Sequence, residues 1–258
     1  MDEVKYKQLK QYIENSDNIC FFCGAGVSTA SGIPDFRGSH GLFRQDFIED
    51  PEYLLSVHCL RREPIKFFNF YRNIFDLRNA EPNPAHKFMA MMEHKNKLTG
   101  IVSQNVDMLY EKAGATKVHK VHGTIGSSHC AVCGRKYNID TIFDNKDVLP
   151  CCTCDYPGNY LIPDIVLYGG NLPEEAVDGA YKSIANADCL IICGTSLNVH
   201  PISNFVEFVG EAYIEEDRPA PVVIVINKEP LKLKRRRIDL EICGDMTPVF
   251  ERLCKDFA

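Results

Sequence analysis

The sequence lacks any long apolar run. No stretch approaches the roughly 18 residues of a membrane-spanning helix. The N-terminal segment 1–18 is polar and has no apolar core of the kind that a secretory signal carries. An excess of basic residues is missing too, because the net charge is −6, whereas proteins that bind nucleic acids are usually basic. We therefore expect neither a membrane nor a nucleic acid as a partner, and a location in the cytoplasm, or in the nucleus if the cell has one.

Internal repeats and long low-complexity segments are also missing, so nothing divides the chain into an array of small units. A length of 258 residues, 45% of them hydrophobic and 25% charged, suits one large globular domain with small insertions. We predict a single domain over residues 1–258, with a helical insertion at 40–80 and a cysteine-rich insertion at 126–160.

Short apolar runs of about 4–8 residues indicate buried parallel strands. These runs are Ile19–Cys23, Ile101–Ser103, Val118–Val121, Cys189–Cys193 and Val222–Ile226. Apolar residues spaced by three or four predict helices at 4–13, 65–77, 86–94, 174–185, 202–212 and 248–254. Because strands alternate with helices, we predict an α/β fold in which helices cover both faces of a parallel sheet.

A glycine-rich turn, CGAGVST, follows the first predicted strand. Its glycines would let the backbone approach a pyrophosphate, which the next helix could meet with free N–H groups. Thr29 stands where the usual dinucleotide fingerprint has its third glycine, and no second strand ending in Asp or Glu follows about 20 residues on. A hydride-transferring dehydrogenase therefore fits poorly. A bound dinucleotide fits well, and a simple structural turn is the alternative.

Two Cys-x-x-Cys pairs lie in the middle of the chain, Cys130 with Cys133 and Cys151 with Cys154, and 17 residues separate the pairs. This spacing is typical of a structural zinc site with four thiolates. Cys152 is then the spare residue, and free cysteines are the alternative. Since nothing in the sequence indicates export, we do not expect disulfides among the 12 cysteines.

Polar residues follow several predicted strands. They are the segments SQNVD at 103–107, HG at 122–123, GTSLNV at 194–199 and VINK at 225–228. In an open α/β sheet, ligands bind beyond the carboxyl ends of the strands, so these segments could converge on one cleft. The position of His122 directly after a strand favours a role as general base.

The segment 232–237, KLKRRR, is a local basic run. We interpret it mainly as a solvated surface loop. A nuclear-targeting or nucleic-acid-binding patch is the alternative.

These segments, in this order, resemble the sirtuin family. The resemblance rests on GAGVSTASGIPDFRG (24–38), SQNVD, HG, the paired cysteines, PDIVLYGGNLP (163–173), GTSLNV and IN (226–227). It extends from about residue 18 to the last helix. It implies a Rossmann-like sheet with an inserted zinc ribbon and a helical insertion, one structural zinc, and NAD-dependent removal of acyl groups from lysine side chains.

The resemblance also implies roles for single residues. His122, Asn105 and Asp107 would be catalytic. The residues around NAD would be Gly24, Ala25, Gly26, Thr29, Phe36, Arg37, Gln104, Asn105, Val106, Asp107, Gly194, Thr195, Ser196, Asn227, Lys228, Asp245 and Met246. An acyl-lysine peptide or protein would dock by β-augmentation against Val166, Leu167, Tyr168, Gly169, Val199 and His200.

In the implied chemistry the acyl oxygen attacks the ribose carbon that bears nicotinamide, in a pocket that excludes water. His122 then removes a proton from a ribose hydroxyl, for which a neutral imidazole with a pKa of about 6.5 is adequate. The products are lysine, nicotinamide and O-acyl-ADP-ribose, and the zinc takes no part.

The sequence departs from the family pattern at Ile162, where Arg is frequent, at Gly170, where Glu is common, and at Tyr110, which replaces a frequent His. The first two departures leave the peptide docking open. Family members that prefer succinyl-lysine carry a Tyr and an Arg three residues apart, and we align Phe68 and Tyr71 with that pair. An acetyl or apolar acyl group is therefore the expected substrate.

Two other functions compete with lysine deacylation. A protein ADP-ribosyltransferase or an NAD hydrolase would keep the same NAD site, but neither needs the ribose-hydroxyl step for which His122 is suited. A non-catalytic zinc-ribbon binding module would leave the glycine turn and the SQNVD segment unexplained. Neither the physiological substrate nor the oligomeric state follows from the sequence.

Overall fold

A six-stranded parallel sheet forms the centre of the fold. The computed structural model describes residues 2–35, 49–145, 149–213 and 219–258. In the sheet the strands lie in the order β3-β2-β1-β7-β8-β9. Their bounds are β1 Ile19–Cys23, β2 Leu98–Ser103, β3 Val118–Lys120, β7 Cys189–Cys193, β8 Val222–Asn227 and β9 Leu240–Cys243. All neighbours run parallel, so the carboxyl ends of β1, β2, β7 and β8 meet at one edge.

Two buried layers cover the faces of this sheet, because successive residues of a strand point to opposite sides. Phe21 of β1 faces a core that includes residues of the helices α1 Glu3–Asn15, α5 Pro84–His94 and α9 Thr247–Asp256. Phe22 faces the other core, against α8 Glu174–Ala185 and the 3₁₀ segment Ile202–Phe208. The predicted parallel sheet with helices on both faces is confirmed.

A second, smaller unit carries the cysteine-rich segment. Its three-stranded antiparallel sheet has the order β5-β4-β6, and the short helices of this part of the chain pack beside it. The elements are α2 Pro51–Leu54, α3 Val57–Arg62, α4 Pro64–Phe75, β4 Gly123–Cys130, β5 Lys136–Asn138, α7 Asp140–Phe143 and β6 Leu161–Ile165. The short helix α6 Leu109–Lys112 packs instead against α5 of the larger unit. Phe67, Phe68 and Tyr71 of α4 share one core with Ile125 of β4 and Leu161 of β6. The helical and cysteine-rich segments therefore bury their apolar surface against each other.

The helix expected at 202–212 has a different geometry. The chain forms 3₁₀ segments at Ile202–Phe208 and Glu211–Tyr213. Between them Val209 leaves the helical region with ψ 129° and Gly210 has φ +71°. A glycine at positive φ ends a helix, which the apolar spacing alone does not show.

Two further features concern the sheet edge and the helices. The edge strand β9 was not found as an apolar run, because its buried residues Leu240 and Ile242 alternate with the more exposed Glu241 and Cys243.

Across the described ranges, no helix is both long and apolar enough to cross a membrane. The domain bounds drawn from the sequence, 1–258, 40–80 and 126–160, stay predictions.

Replacing Ile192 by Ala should destabilise the protein by about 2–5 kcal/mol. Ile192 is fully buried in the central strand β7, so its removal leaves a cavity where β7 meets the second core. Urea unfolding measures the change. The control Val4→Ala, at a side chain that is 75% exposed, should change the stability by less than about 0.5 kcal/mol. Equal effects of the two substitutions would contradict this packing.

Candidate active site and metal centre

The glycine turn after β1 lies directly against the end of β7. The amide of Gly24 donates to the carbonyl of Cys193 at 3.0 Å, and that of Gly26 to the carbonyl of Gly194 at 2.8 Å. A Cβ atom on Gly26 would lie 2.8 Å from the Cα of Gly194, closer than real Cβ contacts allow. Gly194 itself has φ +58°. Only glycines fit this close approach of the two backbones.

A buried polar cluster joins this turn to the segment after β2. Ser28 donates its hydroxyl proton to the Asp107 carboxylate at 2.7 Å, and the Asn105 amide donates to the Ser28 oxygen at 3.0 Å. Burial raises the pKa of Asp107, while the hydrogen bonds from Ser28 and from the Leu109 amide act in the opposite direction. Ser28 was not among the predicted site residues, although it stands inside the glycine-rich segment.

His122 follows β3 and faces the end of β2. Its Nδ1 lies 2.8 Å from the carbonyl oxygen of Gln104. Because a carbonyl only accepts hydrogen bonds, Nδ1 carries the proton and the lone pair is on Nε2. Burial lowers the pKa of His122, and the bond to Gln104 partly offsets that shift. The imidazole is therefore neutral at pH 7 and can accept a proton at Nε2.

Gln104 has an amide group that awaits a partner. Its Nε2 is buried and finds no hydrogen-bond acceptor among the described residues. Its Oε1 lies 3.5 Å from the Thr195 hydroxyl at the end of β7. Such an unpaired buried donor is costly unless a ligand satisfies it. Together with the glycine turn, it fits a dinucleotide with its many acceptor oxygens.

A cavity opens beside the polar cluster. Its lining residues are Ala25, Ser28, Ile33, Pro34, Ile74, Phe75, Leu77, Asn105, Val106 and Asp107. Ala25, Asn105, Val106 and Asp107 were predicted for the site, whereas the apolar residues from 33–34 and 74–77 were not. Among the described residues, no basic side chain lines this cavity.

The two residues aligned with the succinyl-reading pair do not belong to this cavity. Phe68 and Tyr71 are fully buried in the core of the smaller unit. Ile74 and Phe75, farther along the same helix α4, line the cavity. The earlier turns of α4 therefore pack in the core of the smaller unit, while its last turn reaches the cavity.

The predicted residues at the far side of the cleft lie at the ends of β7, β8 and β9. Asn227 donates to the carbonyls of Thr195 at 3.0 Å and Glu229 at 2.9 Å, which ties β8 to β7. Met246 is buried. Ser196, Lys228 and Asp245 are exposed at the same edge. Phe36 and Arg37 lie outside the described residues.

The segment expected to hold a peptide on one side follows β6. The amide of Val166 donates to the carbonyl of His122 at 2.8 Å, which ties this segment to the proposed base. Tyr168 exchanges backbone hydrogen bonds with Leu55 and Val57. Leu167 is buried, whereas Tyr168 and Gly169 are exposed. Val199 and His200, on the other expected side, are exposed as well.

Four thiols in the smaller unit form a compact cluster. The sulfurs of Cys130, Cys133, Cys152 and Cys154 all lie within 4.8 Å of one another. The Sγ–Sγ distances are 3.7 Å for Cys130–Cys154 and 3.6 Å for Cys133–Cys152. Zn–S bonds of about 2.3 Å in a tetrahedron place the sulfurs about 3.8 Å apart. The cluster therefore fits one structural zinc ion.

The structure brings Cys152 to this cluster, where the sequence analysis predicted Cys151. Cys151 is exposed and pairs through its backbone with Tyr160, while Cys152 is only 5% exposed. Neighbouring residues in an extended segment point to opposite sides, so only one of the two sulfurs can face the cluster. In this arrangement the second pair has the spacing Cys-x-Cys, for which the search for Cys-x-x-Cys pairs did not look.

Comparison with known proteins decides the family. The model of the Sir2 family matches residues 24–201, which contain the glycine turn, the polar cluster, His122 and the four thiols. The chain belongs to the Sir2 family. The sirtuin resemblance seen in the sequence is thereby confirmed.

Relatives within the Sir2 family cover most of the chain. A Clostridium perfringens NAD-dependent protein deacetylase is 42% identical over 210 residues, which cover 81% of this chain and 84% of the relative. A Staphylococcus epidermidis protein of the same name is 37% identical and covers 98% of both chains. A Sir2 variant solved with a deacetylated peptide and 3′-O-acetyl ADP-ribose has a TM-score of 0.84 at 26% identity, with 97% of each chain covered.

Cys152→Ala should release the zinc, whereas Cys151→Ala should retain it, since only Cys152 faces the other three sulfurs. Elemental analysis of the purified variants measures one zinc per chain or none. The two neighbouring cysteines are matched controls for each other. Zinc loss in Cys151→Ala with retention in Cys152→Ala would overturn this ligand set.

Activity should fall as the pH drops below about 6.5, the ordinary pKa of histidine. The base must be neutral, and burial lowers the pKa of His122, so protonation inactivates this base only on the acid side of that value.

His122→Ala should lose nearly all deacylation while remaining folded, and should lose the acid limb of the pH profile in any residual rate. Activity of this variant within a few-fold of wild type would refute the assignment.

Proposed function

We propose that this chain is an NAD-dependent protein lysine deacylase, with acetyl-lysine as the preferred substrate and with lysine, nicotinamide and O-acyl-ADP-ribose as products. The observation that carries the proposal is the hydrogen bond between His122 Nδ1 and the Gln104 carbonyl, since it leaves the lone pair of Nε2 to act as the base. The deacetylases among its relatives, which cover most of the chain, support the same conclusion.

NAD, when bound, supplies an electrophilic ribose carbon and nicotinamide as its leaving group. We assign its phosphates to the turn formed by Gly24, Ala25, Gly26 and Thr29, where glycines without side chains would let the phosphates approach the backbone closely. The unpaired Gln104 amide would donate to a ribose oxygen. Toward the adenosine we assign Gly194, Thr195, Ser196, Asn227, Lys228, Asp245 and Met246.

Asn105 and Asp107 would hold the nicotinamide end, with Val106 beside them. Ser28 fixes both side chains, because it accepts from Asn105 and donates to Asp107. The apolar walls of the cavity from Ile33, Ile74 and Phe75 exclude water, which favours the acyl oxygen over water as the group that attacks the ribose. Phe36 and Arg37 remain proposals from the resemblance alone.

His122 would take the proton of a ribose hydroxyl at Nε2. The carbonyl of Gln104 then stabilises the imidazolium through Nδ1, as an oriented acceptor does for a general base. Because the backbone of Val166 is bonded to that of His122, a peptide docked along Val166–Gly169 would present its acyl-lysine beside this base. We place Val199 and His200 on the opposite side of the peptide.

An uncharged acyl group fits this site better than an acidic one. The described cavity has no basic side chain that could pair with a succinyl carboxylate, and its walls from α4 are Ile74 and Phe75. The desolvation of an unpaired carboxylate would cost several kcal/mol.

The zinc site lies in the smaller unit and serves its folding, as a closed four-thiolate site does. A cytoplasmic location stays a prediction.

Mass spectrometry of a reaction with NAD and an acetyl-lysine peptide tests the proposal. We expect loss of the acetyl mark together with equal amounts of nicotinamide and acetyl-ADP-ribose. A succinyl-lysine peptide of the same sequence is the matched control and should react more slowly. An intact acetyl mark with ADP-ribose attached to protein, or with free ADP-ribose, would instead assign the transferase or hydrolase function.

A further inference from the structure

A buried asparagine at the start of α5, Asn83, is bonded to the glycine turn, which lies more than fifty residues earlier in the sequence. Asn83 precedes α5 and is only 7% exposed. Its side-chain amide donates to the carbonyl of Val27 at 2.7 Å and to the hydroxyl of Ser31 at 3.0 Å. Val27 belongs to the glycine turn and Ser31 follows that turn by two residues, so one side chain holds the segment 24–31 at two points.

The oxygen of the same side chain has a separate function. Asn83 Oδ1 accepts from the amide of Ala85 at 3.0 Å, which makes Asn83 the N-cap of α5. All three hydrogen-bonding groups of the carboxamide are thereby used, two for the turn and one for the helix. A cap needs only the oxygen, which Asp or Ser supplies equally well. The NH₂ group is thus surplus to capping and serves the turn.

The backbone of Asn83 is itself held in place. Its amide donates to Nδ1 of His86 at 3.3 Å, and the His86 ring lies against Tyr110 with the centroids 4.7 Å apart. His86 is fully buried, and burial lowers its pKa to about 3, so Nδ1 stays an acceptor throughout the physiological range. The asparagine therefore projects from a rigid point.

The anchored residues lead directly to the chemistry. Val27 precedes Ser28, whose hydroxyl bonds to both Asn105 and Asp107. On the other side of the turn, Gly26 is fixed by the backbone of Gly194. Val27 is the chain neighbour of Ser28, so a shift of the Val27 carbonyl would move Ser28. That movement would disturb the short, buried hydrogen bond between Ser28 and Asp107. Asn83 and Gly194 thus hold the turn from two sides.

We propose that Asn83 is a positioning residue for NAD binding. Through the Val27 carbonyl and the Ser31 hydroxyl, Asn83 holds the segment 24–31 in the geometry that binds NAD. The inference rests on the proposed function, because it assumes that NAD occupies this turn. Asn83 touches none of the reacting atoms, so its loss should weaken NAD binding without altering the affinity for the acyl peptide.

The test compares Asn83→Asp and Asn83→Ser with wild type by titration calorimetry of NAD. Both variants keep an N-cap oxygen and neither can make both donated bonds, so we expect the Kd for NAD to rise on the order of tenfold in each. The melting temperature should change less than in Asn83→Ala, which loses the cap as well. The Kd of an acetyl-lysine peptide should stay within about twofold, because the side chain of Asn83 bonds to Val27, Ser31 and Ala85 and not to the residues assigned to the peptide.

Two further variants separate positioning from general destabilisation. Asp2→Ala removes the N-cap of α1, remote in sequence from the turn, and should leave the Kd for NAD unchanged. Ser31→Ala removes one of the two acceptors and should raise that Kd by a few-fold, which decides the matter if the Asn83 variants do not fold.

Wild-type affinity for NAD in Asn83→Asp and Asn83→Ser would overturn the proposal and leave Asn83 as a helix cap only. A parallel weakening of NAD and peptide binding, together with an equal effect of Asp2→Ala, would also overturn it. Binding is measured without turnover, so a wild-type protein that binds NAD but does not deacylate would contradict the proposed function and not this role of Asn83.

Discussion

The close packing of two glycine-containing turns, one after β1 and one after β7, is the constraint on which the site depends. Gly26 and Gly194 approach so closely that neither has room for a Cβ atom. Their contact is made by the backbones alone, with the Gly26 amide donating to the Gly194 carbonyl. The parallel pairing of β1 with β7 fixes this approach residue by residue. Ser28 of the first turn donates to Asp107, and Asn227 donates to the carbonyl of Thr195 in the second turn.

Much of the central sheet could be predicted from the sequence, because its strands are buried on both faces and read as continuous apolar runs. The edge strand β9 could not, since alternating burial over four residues gives a weak signal. The 3₁₀ geometry of Ile202–Phe208 also escaped, because its apolar spacing matches that of an α-helix until Gly210 breaks it. The shared core of the helical and cysteine-rich segments depends on tertiary contacts that no local pattern shows.

The site was predictable where its residues follow a strand, and less so where a long-range contact gives a residue its role. His122 and Asp107 come directly after strands, which the topology of a parallel sheet brings to one edge. Asn83 bonds to a turn more than fifty residues away, so only the folded chain shows its donors in place. Which of Cys151 and Cys152 faces the other three sulfurs depends on the orientation of an extended segment, which spacing along the sequence does not show.

The central claim is that one cleft holds NAD and an acyl-lysine together, with His122 as the shared base. The most direct measurement is the release of nicotinamide from NAD in the presence of an acetyl-lysine peptide, of the unmodified peptide, and of no peptide. The account predicts that nicotinamide forms in a one-to-one ratio with deacetylated peptide, and at background level in both controls. Nicotinamide release at the same rate without an acyl peptide, or deacetylation without NAD, would contradict it.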